Sequence, residues 1–274
     1  MPIEMTLMAA FVVFGVASIL SMFGKGGGEF YVPILITLGI SYQISASTSL
    51  LCLVFSGSAM TLIYHRKMRQ VDWLLALVLF STAGISSFFG GFFSGRIPPF
   101  YLKITFFLTI LAAAFVMYAR KKEFLKHIAE VDAGKEKLSG RFVWHRKSPE
   151  GDFDMNLLYV LPPVGIVGFL AGMVGISGGG LIVPIIILFG SVPLRTAFAT
   201  NSVLVLMTSS MGLIGRGMSM GIDLGFALPV ASAAFLGALL GSSLSKKVEV
   251  QHLERLFIVI LIIAALWMLY RAFY

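Results

Sequence analysis

Long stretches without a single charged side chain constrain the fold of this chain more than any other feature. They cover residues 5–24, 30–64, 73–95, 104–119, 155–194, 196–215, 224–245 and 256–270. An α-helix needs about 20 apolar residues to cross the roughly 30 Å hydrocarbon core of a bilayer, and several of these stretches are longer. Only 12% of the residues are charged, against about a quarter in a typical soluble domain. We therefore predict an all-α integral membrane protein.

An internal repeat covers most of the chain. The segment FGKGGGEFYVPILITLG at 23–39 corresponds to VGISGGGLIVPIIILFG at 174–190, an offset of 151 residues. The same offset relates Val71-Asp72 to Ile222-Asp223 and Gly90 to Gly241, and with a local two-residue adjustment ASTS at 46–49 corresponds to ATNS at 199–202. We therefore predict two transmembrane repeats, 1–119 and 155–274, joined by a polar linker at 120–154.

Each repeat contains one apolar segment that is too short to span a membrane. Residues 30–39 and 181–190 follow the glycine-rich motifs, and each segment has ten residues. Ten residues of α-helix are about 15 Å long, half the thickness of the hydrocarbon core. Pro33 and Pro184 are expected in or near the first turn, where a missing N–H costs least. Each repeat is thus predicted to combine a re-entrant or discontinuous helix pair with three long transmembrane helices.

The distribution of Lys and Arg predicts how the repeats lie in the membrane. The net charge of +8 comes from loops and the linker, which fits the positive-inside rule better than binding to nucleic acid. Loop 65–70 has three Lys or Arg residues and its counterpart 216–222 has one, whereas loop 96–103 has two and its counterpart 246–255 has three. The bias reverses, so we predict inverted repeats with a cytoplasmic linker. The alternative is a parallel repeat with four full crossings in each half.

Glycine triplets precede the short helices and therefore lie inside the bilayer in this prediction. The first turn of a helix has backbone N–H groups without partners and a partial positive charge, which suits an anion. Glycine lets these amides approach a ligand closely and readily adopts positive φ. We predict that both triplets bind substrate: Gly26, Gly27 and Gly28, and Gly178, Gly179 and Gly180. Close helix packing is the alternative, which we prefer for Gly90, Gly91, Gly237 and Gly241.

Two ionisable residues flank the first triplet in the motif GKGGGE. A charged side chain at membrane depth costs at least about 2.5 kcal/mol, so a functional use is the default hypothesis. We predict that Lys25 attracts a substrate anion and that Glu29 couples transport to a proton, because a nearby anion favours the protonated carboxyl. The second repeat has Ile176 and Gly180 at these positions, so both roles are asymmetric. The alternative is a local salt bridge.

Small polar side chains in and after the motifs can provide further donors to an anion. They are Ser47, Thr48 and Ser49 in the first repeat, and Ser177, Thr200, Asn201 and Ser202 in the second. We include them in the predicted substrate site, with helix N-capping as the alternative. Asp72 and Asp223 are instead predicted to cap the helices that follow them. Cys52, the only cysteine, is expected to pack in its apolar stretch, which excludes a cysteine-based metal site.

The motifs resemble those of the TauE/SafE sulfite-exporter family of membrane transporters. The resemblance rests on GKGGGEFYVP and GISGGGLIVP, on ASTS and ATNS after them, and on Val-Asp and Ile-Asp at the start of the next helix. It implies a secondary transporter, acting as an exporter, of a small sulfur-containing anion such as sulfite, sulfoacetate or a related organosulfonate. It also implies a multi-pass location in a prokaryotic inner membrane, and it is compatible with proton coupling.

Other classes of function have weaker support in the sequence. The long apolar segments contain no HExxH motif, no pair of acidic residues and no Ser-His arrangement, and GKGGGE is neither a Walker A nor a GxGxxG motif. We therefore expect no enzymatic activity, no cofactor and no metal. An anion channel and, with less support, an intramembrane enzyme are the alternatives. The expected partners are the small anion and membrane lipid, with nucleic acid excluded and a homo-oligomer left open.

Overall fold

The computed structural model describes residues 2–119, 142–148, 151–190, 192–245, 262 and 265–271. The helices are α1 (Ile3–Leu20), α2 (Gly28–Thr37), α3 (Tyr42–Ile63), α4 (Trp73–Ser94), α5 (Pro99–Ala119), α6 (Leu157–Val174), α7 (Gly179–Leu188), α8 (Leu194–Met220) and α9 (Leu224–Leu244). A 3-10 turn, Ser21–Phe23, follows α1, and a π-helical turn, Tyr64–Met68, extends α3. Residues 120–141 of the predicted linker and most of the last predicted apolar segment, 256–270, lie outside the described residues.

Seven of the described helices are long and apolar enough to cross a membrane: α1, α3 with its π-helical extension, α4, α5, α6, α8 and α9. Helices α2 and α7 have ten residues each, the length predicted for the short segments. The prediction of an all-α integral membrane protein is therefore confirmed for the membrane-spanning part. One addition is an antiparallel hairpin of β1 (Val143–Ser148) and β2 (Gly151–Asn156) just before α6, which the polar composition of the linker did not indicate.

The prolines of the short helices lie one turn later than expected. Pro33 and Pro184 are each the sixth residue of their helix, because the helices begin at the glycines rather than at the apolar residues after them. A proline at this position removes the N–H that would bond to the carbonyl four residues earlier. That carbonyl belongs to Glu29 in α2 and to Gly180 in α7.

Helices of the two halves interleave. Helix α4 packs mainly against α6 and α8, and α9 packs mainly against α1 and α3. The glycines predicted to pack closely, Gly90, Gly91, Gly237 and Gly241, each face a backbone carbonyl oxygen of a neighbouring helix, between 2.0 and 2.4 Å from where a Cβ would lie. Their packing role is confirmed, because any side chain would force the helices apart. The contacts of Gly90 with Phe169 and of Gly241 with Ser18 are equivalent under the offset of the repeat.

The central helices α3 and α8, which are equivalent elements of the two repeats, run in opposite directions. Gly57 of α3 lies against Leu206 of α8, whereas Leu50, earlier in α3, lies near Gly212, later in α8. Opposite directions of equivalent helices are characteristic of inverted-topology repeats. This packing favours inverted over parallel repeats, and we retain inversion as a proposal.

Cysteine labelling tests this proposed topology. Inverted repeats with a cytoplasmic linker place both termini outside, so single cysteines at His145 and Tyr274 should react with a membrane-impermeant reagent from opposite faces. A cysteine at Gly221, in the exposed connection between α8 and α9, should react from the same face as Tyr274. The native Cys52 is buried and contributes little background. Reaction of positions 145 and 221 from one face would contradict inversion.

Three predicted loops overlap helices: 65–70 overlaps the π-helical turn, 96–103 overlaps α5, which begins at Pro99, and 216–222 overlaps α8. The charge pattern predicts a loop at 216–222, but α8 continues to Met220 and only residues 221–223 connect it to α9. Arg216 is fully buried, and its guanidinium donates to Gln43 Oε1 and to the Met173 carbonyl oxygen, both at 3.0 Å. The prediction is wrong because these hydrogen bonds stabilise the charge inside the bundle, so the charge does not mark a loop.

The β-hairpin lies against the first residues of α4 and α8. Arg146 donates to both carboxylate oxygens of Asp72, at 2.9 and 3.1 Å, and this hydrogen bonding raises the pKa of Arg146. Ser148 Oγ lies 3.4 Å from Thr196 Oγ1, and Phe153 is buried in the core. The hairpin therefore connects the end of the linker to both halves on one side of the bundle.

Candidate functional site

Two glycine turns, residues 24–27 and 175–178, connect the long and the short helix of each half. Positive φ angles occur at Gly24 (64°), Gly26 (72°) and Gly27 (93°) in the first glycine turn, and at Gly175 (84°) and Gly178 (66°) in the second. Residues with a Cβ rarely adopt such angles. Gly27 and Gly178 are the N-caps of α2 and α7. Both short helices therefore begin directly after a glycine of positive φ, and at α7 the Gly180 N–H contacts Glu29 inside the bundle.

The N-terminus of α7 is occupied by a carboxylate from the other half of the protein. Glu29, in the first turn of α2, is 1% exposed. Its Oε1 accepts a hydrogen bond from Ser177 Oγ at 2.6 Å and one from the Gly180 N–H at 3.3 Å. Ser177 Oγ in turn accepts a hydrogen bond from the Gly179 N–H at 3.3 Å. Backbone and hydroxyl donors at the start of α7 thus bind the carboxyl group of Glu29, which lies at the positive end of the helix dipole.

Glu29 also retains unused hydrogen-bonding capacity. Its Oε2 is buried and has no hydrogen-bond partner among the described residues. An ionised carboxylate with an unsatisfied oxygen in a low-dielectric interior is costly. A hydrogen-bond donor brought by a ligand would lower that cost, so Oε2 is suited to accept a hydrogen bond from a ligand.

Lys25 lies in the first glycine turn, and its side chain is only 6% exposed. The next residue, Gly26, is held by two side chains, because its carbonyl oxygen accepts hydrogen bonds from the hydroxyls of Tyr31 and Ser56. A Cβ on Gly28 would lie 2.8 Å from the Ser177 backbone nitrogen, so the first turn also approaches the second. The structure therefore buries Lys25 in the same region as Glu29, and its role toward substrate remains a prediction.

Each glycine turn is hydrogen-bonded by one predicted site residue on the central helix of the other half. Asn201 Nδ2 donates to the Gly24 carbonyl oxygen at 2.7 Å, and Ser49 Oγ donates to the Gly175 carbonyl oxygen at 2.6 Å. The two accepting carbonyls are equivalent under the repeat, which relates Gly24 to Gly175, but the two donors are not, because Ser49 corresponds to Ser202. Asn201 also lies where a Cβ on Gly179 would be, and its buried Oδ1 has no hydrogen-bond partner among the residues that the structure describes. Asn201 and Ser49 therefore determine the position of the turns.

The other predicted polar residues bond to backbone groups outside the glycine turns. Ser47 donates to the Gln43 carbonyl at 3.0 Å, Ser202 donates to the Ala199 carbonyl at 2.6 Å, and Thr200 accepts from the Asp72 N–H at 3.2 Å. Thr48 is buried. Their proposed contact with substrate stays a prediction. By contrast, the capping role of Asp72 and Asp223 is confirmed, because each carboxylate accepts a backbone N–H at the start of α4 or α9.

Sequence reasoning missed the large polar side chains that bind carbonyl groups beside the turns. Tyr31 binds Gly26, Tyr42 donates to the Val174 carbonyl at 3.1 Å, Tyr64 donates to the Met22 carbonyl at 2.9 Å, and Arg216 binds Met173. A polar group inside an apolar stretch must find a partner in the membrane. These residues were therefore visible in the sequence as exceptions to its apolar pattern, although their partners were not.

N–H and O–H donors and the buried Lys25 thus lie in one region of the bundle, an arrangement that is suited to binding an anion. In the described part of the chain, no cluster of three or more His, Cys, Asp or Glu residues is suited to holding a metal ion.

The chain is similar to known membrane transporters. The family model described as sulfite exporter TauE/SafE matches residues 9–268. A Bacillus subtilis protein named "Probable membrane transporter protein YunE" is 24% identical over 265 residues, which cover 93% of both chains. A Methanocaldococcus jannaschii protein, also named as a probable membrane transporter protein, is 27% identical over 267 residues, covering 91% of this chain and 90% of the relative. No solved structure is significantly similar.

Proposed function

Because the chain belongs to the sulfite exporter TauE/SafE family, we propose that it is a secondary transporter that exports a small sulfur-containing anion such as sulfite, sulfoacetate or a related organosulfonate. Its family and relatives are membrane transporters rather than enzymes, and its long apolar helices make it a multi-pass protein of the cell membrane. The observation that carries the proposal is the carboxylate of Glu29 at the N-terminus of α7. It supports the view that the same N–H and O–H groups donate hydrogen bonds to an oxygen atom of the substrate anion.

The proposed mechanism is an exchange between Glu29 and the substrate. Ser177 Oγ and the Gly180 N–H, which now donate to Glu29, are suited to an oxygen of sulfite or of a sulfonate. A substrate anion and an ionised carboxylate repel each other at this position, so binding of the anion favours the protonated form of Glu29. Lys25 supplies a positive charge that attracts the substrate anion. A proton would then bind and leave together with the substrate, so that export proceeds when the outward gradient of the substrate exceeds the inward gradient of protons.

Uptake into proteoliposomes tests the function. The purified protein should produce saturable uptake of labelled sulfite or sulfoacetate, and a pH gradient should increase the accumulation above the value that the substrate's own electrochemical gradient allows. A flux that follows only that gradient would indicate an anion channel. Absence of protein-dependent uptake of either anion would contradict a sulfur-anion transporter.

Glu29→Gln tests the coupling. Glutamine retains the shape and the acceptor oxygen for Ser177 but cannot change its protonation state, so binding of sulfite should be preserved and the pH dependence of uptake should be lost. The measurement is the ratio of uptake with and without a pH gradient. Glu4→Gln is the matched control, because Glu4 is an exposed carboxylate of α1 and should retain the wild-type ratio. An unchanged pH response in Glu29→Gln would leave Glu29 with a structural role only.

A further inference from the structure

A second buried cation lies beside the second glycine turn. Arg216 is fully buried in α8, and its partners are the Gln43 amide oxygen and the Met173 carbonyl oxygen. Met173 is in the last turn of α6, two residues before Gly175. The guanidinium is therefore adjacent to the second turn, on the side of the bundle opposite to the β-hairpin, since the hairpin contacts the first residues of α8 and Arg216 is near its last.

The charge of Arg216 is poorly compensated. Both of its hydrogen-bond acceptors are neutral, and its Nε is buried without a hydrogen-bond partner in the described part of the chain. Buried guanidinium groups are normally paired with carboxylates, because removing a charge from water is costly. The C-terminal end of the α6 dipole offsets part of this cost. The remaining desolvation cost suggests that Arg216 has a function beyond packing.

Binding the carbonyl groups at the end of α6 does not require a charged side chain. In the first half, the Tyr64 hydroxyl donates to the carbonyl oxygens of Ser21 and Met22, at 3.2 and 2.9 Å, and Met22 corresponds to Met173 under the repeat. A neutral hydroxyl thus performs in one half the structural task that Arg216 performs in the other. The positive charge of Arg216 needs a different explanation.

The two halves also differ within the glycine turns. The first half has Lys25 in its turn, where the second half has Ile176. With Arg216 included, each half supplies one buried cation next to its own glycine turn. The cations differ in residue type and in chain position, which is why the repeat alignment does not pair them.

We propose that Arg216 is a second substrate-binding residue, which binds an oxyanion of the sulfite or sulfonate type at the end of the site that faces away from the β-hairpin. The inference rests on the proposed transport of such an anion. The Nε donor without a partner supplies a hydrogen bond to the oxyanion, and the guanidinium supplies a positive charge that complements it. Substrate then passes between Arg216 and the donors at Ser177 and Gly180.

The test compares Arg216→Tyr with Arg216→Lys in a binding assay with labelled sulfite. Tyrosine can hold the Met173 carbonyl as Tyr64 holds that of Met22, but it has no charge, so the dissociation constant should rise about tenfold or more, the effect of losing a hydrogen bond to a charged group. Lysine keeps the charge and should bind markedly better than tyrosine. Tyr64→Phe, which removes the equivalent cap without removing a charge, should bind sulfite as the wild type does.

The outcomes separate this inference from the proposed function. If the wild type binds and transports sulfite and Arg216→Tyr binds it equally well, Arg216 is only a helix cap and the inference fails. If Arg216→Tyr does not reach the membrane, Arg216→Lys is compared with Arg216→Gln, and equal affinity of these two also overturns it. A wild type that transports no sulfur anion would instead contradict the proposed function.

Discussion

Gly27→Val and Gly178→Val are each expected to abolish uptake of labelled sulfite while the protein still reaches the membrane. Both glycines have positive φ, 93° and 66°, and each immediately precedes the N–H groups that begin a short helix. A β-branched residue at such an angle costs on the order of 1–3 kcal/mol and shifts the turn. At Gly27 a Cβ would also lie 2.9 Å from the Tyr31 hydroxyl oxygen, which holds the turn through Gly26.

Gly221→Val is the matched control for this experiment. Gly221 also has a positive φ of 76°, but no atom lies within 4 Å of the place where its Cβ would be. The substitution therefore adds similar backbone strain outside the glycine turns, and uptake should remain close to the wild-type rate. Near-normal uptake by Gly27→Val or by Gly178→Val would remove that triplet from the site. Loss of uptake in Gly221→Val would mean that backbone strain alone explains the result.

Lys25→Met is expected to weaken the binding of sulfite about 10- to 100-fold, the effect of losing a hydrogen bond between a charged donor and an anion. Lys25 is buried, so little water is available to replace its ammonium group. Methionine has a similar length, and the change therefore removes the charge with little change in volume. Lys25→Arg should retain part of the affinity, because the charge survives although its shape changes. Equilibrium binding of labelled sulfite to purified protein measures both effects.

Lys67→Met provides the control for the loss of a lysine. Lys67 is exposed in the π-helical turn after α3, so its replacement should leave the affinity unchanged. Normal binding of sulfite by Lys25→Met would mean that backbone amides and hydroxyls alone hold the anion. Lys25 would then have a structural role.

The three buried charges of the proposed site have a consequence for loading. In the proposed mechanism Lys25 and Arg216 are positive and Glu29 is ionised before substrate binds, so the site then has one positive charge in excess. A monovalent anion that binds while Glu29 takes up a proton leaves this excess unchanged. Binding and release of substrate then change the net buried charge little. This matters because an uncompensated charge in a low-dielectric interior has a high free-energy cost. This balance favours the binding and release of one proton together with each monovalent substrate.

Features that depend on local sequence were predictable. The length and hydropathy of uncharged stretches indicate which segments can span a membrane and which cannot, because the bilayer has a set thickness. The glycine turns follow from the conformational freedom of glycine, and the caps of Asp72 and Asp223 follow from the unpaired N–H groups at helix starts. The close packing of Gly90 and Gly241 follows from the need of adjacent helices for small residues.

Contacts between the halves were decided by tertiary structure alone. Glu29 meets Ser177, 148 residues away, and Asn201 meets Gly24, 177 residues away. The repeat in the sequence relates equivalent positions of the two halves, but it contains no information on how one half packs against the other. The position of Arg216 was likewise not predictable from the sequence. A charged residue can lie in a loop or inside the bundle, and the hydrogen-bond partners from distant segments decide which. The sequence alone determined which groups have to be satisfied inside the membrane, and the packing of the two halves determined which partners satisfy them.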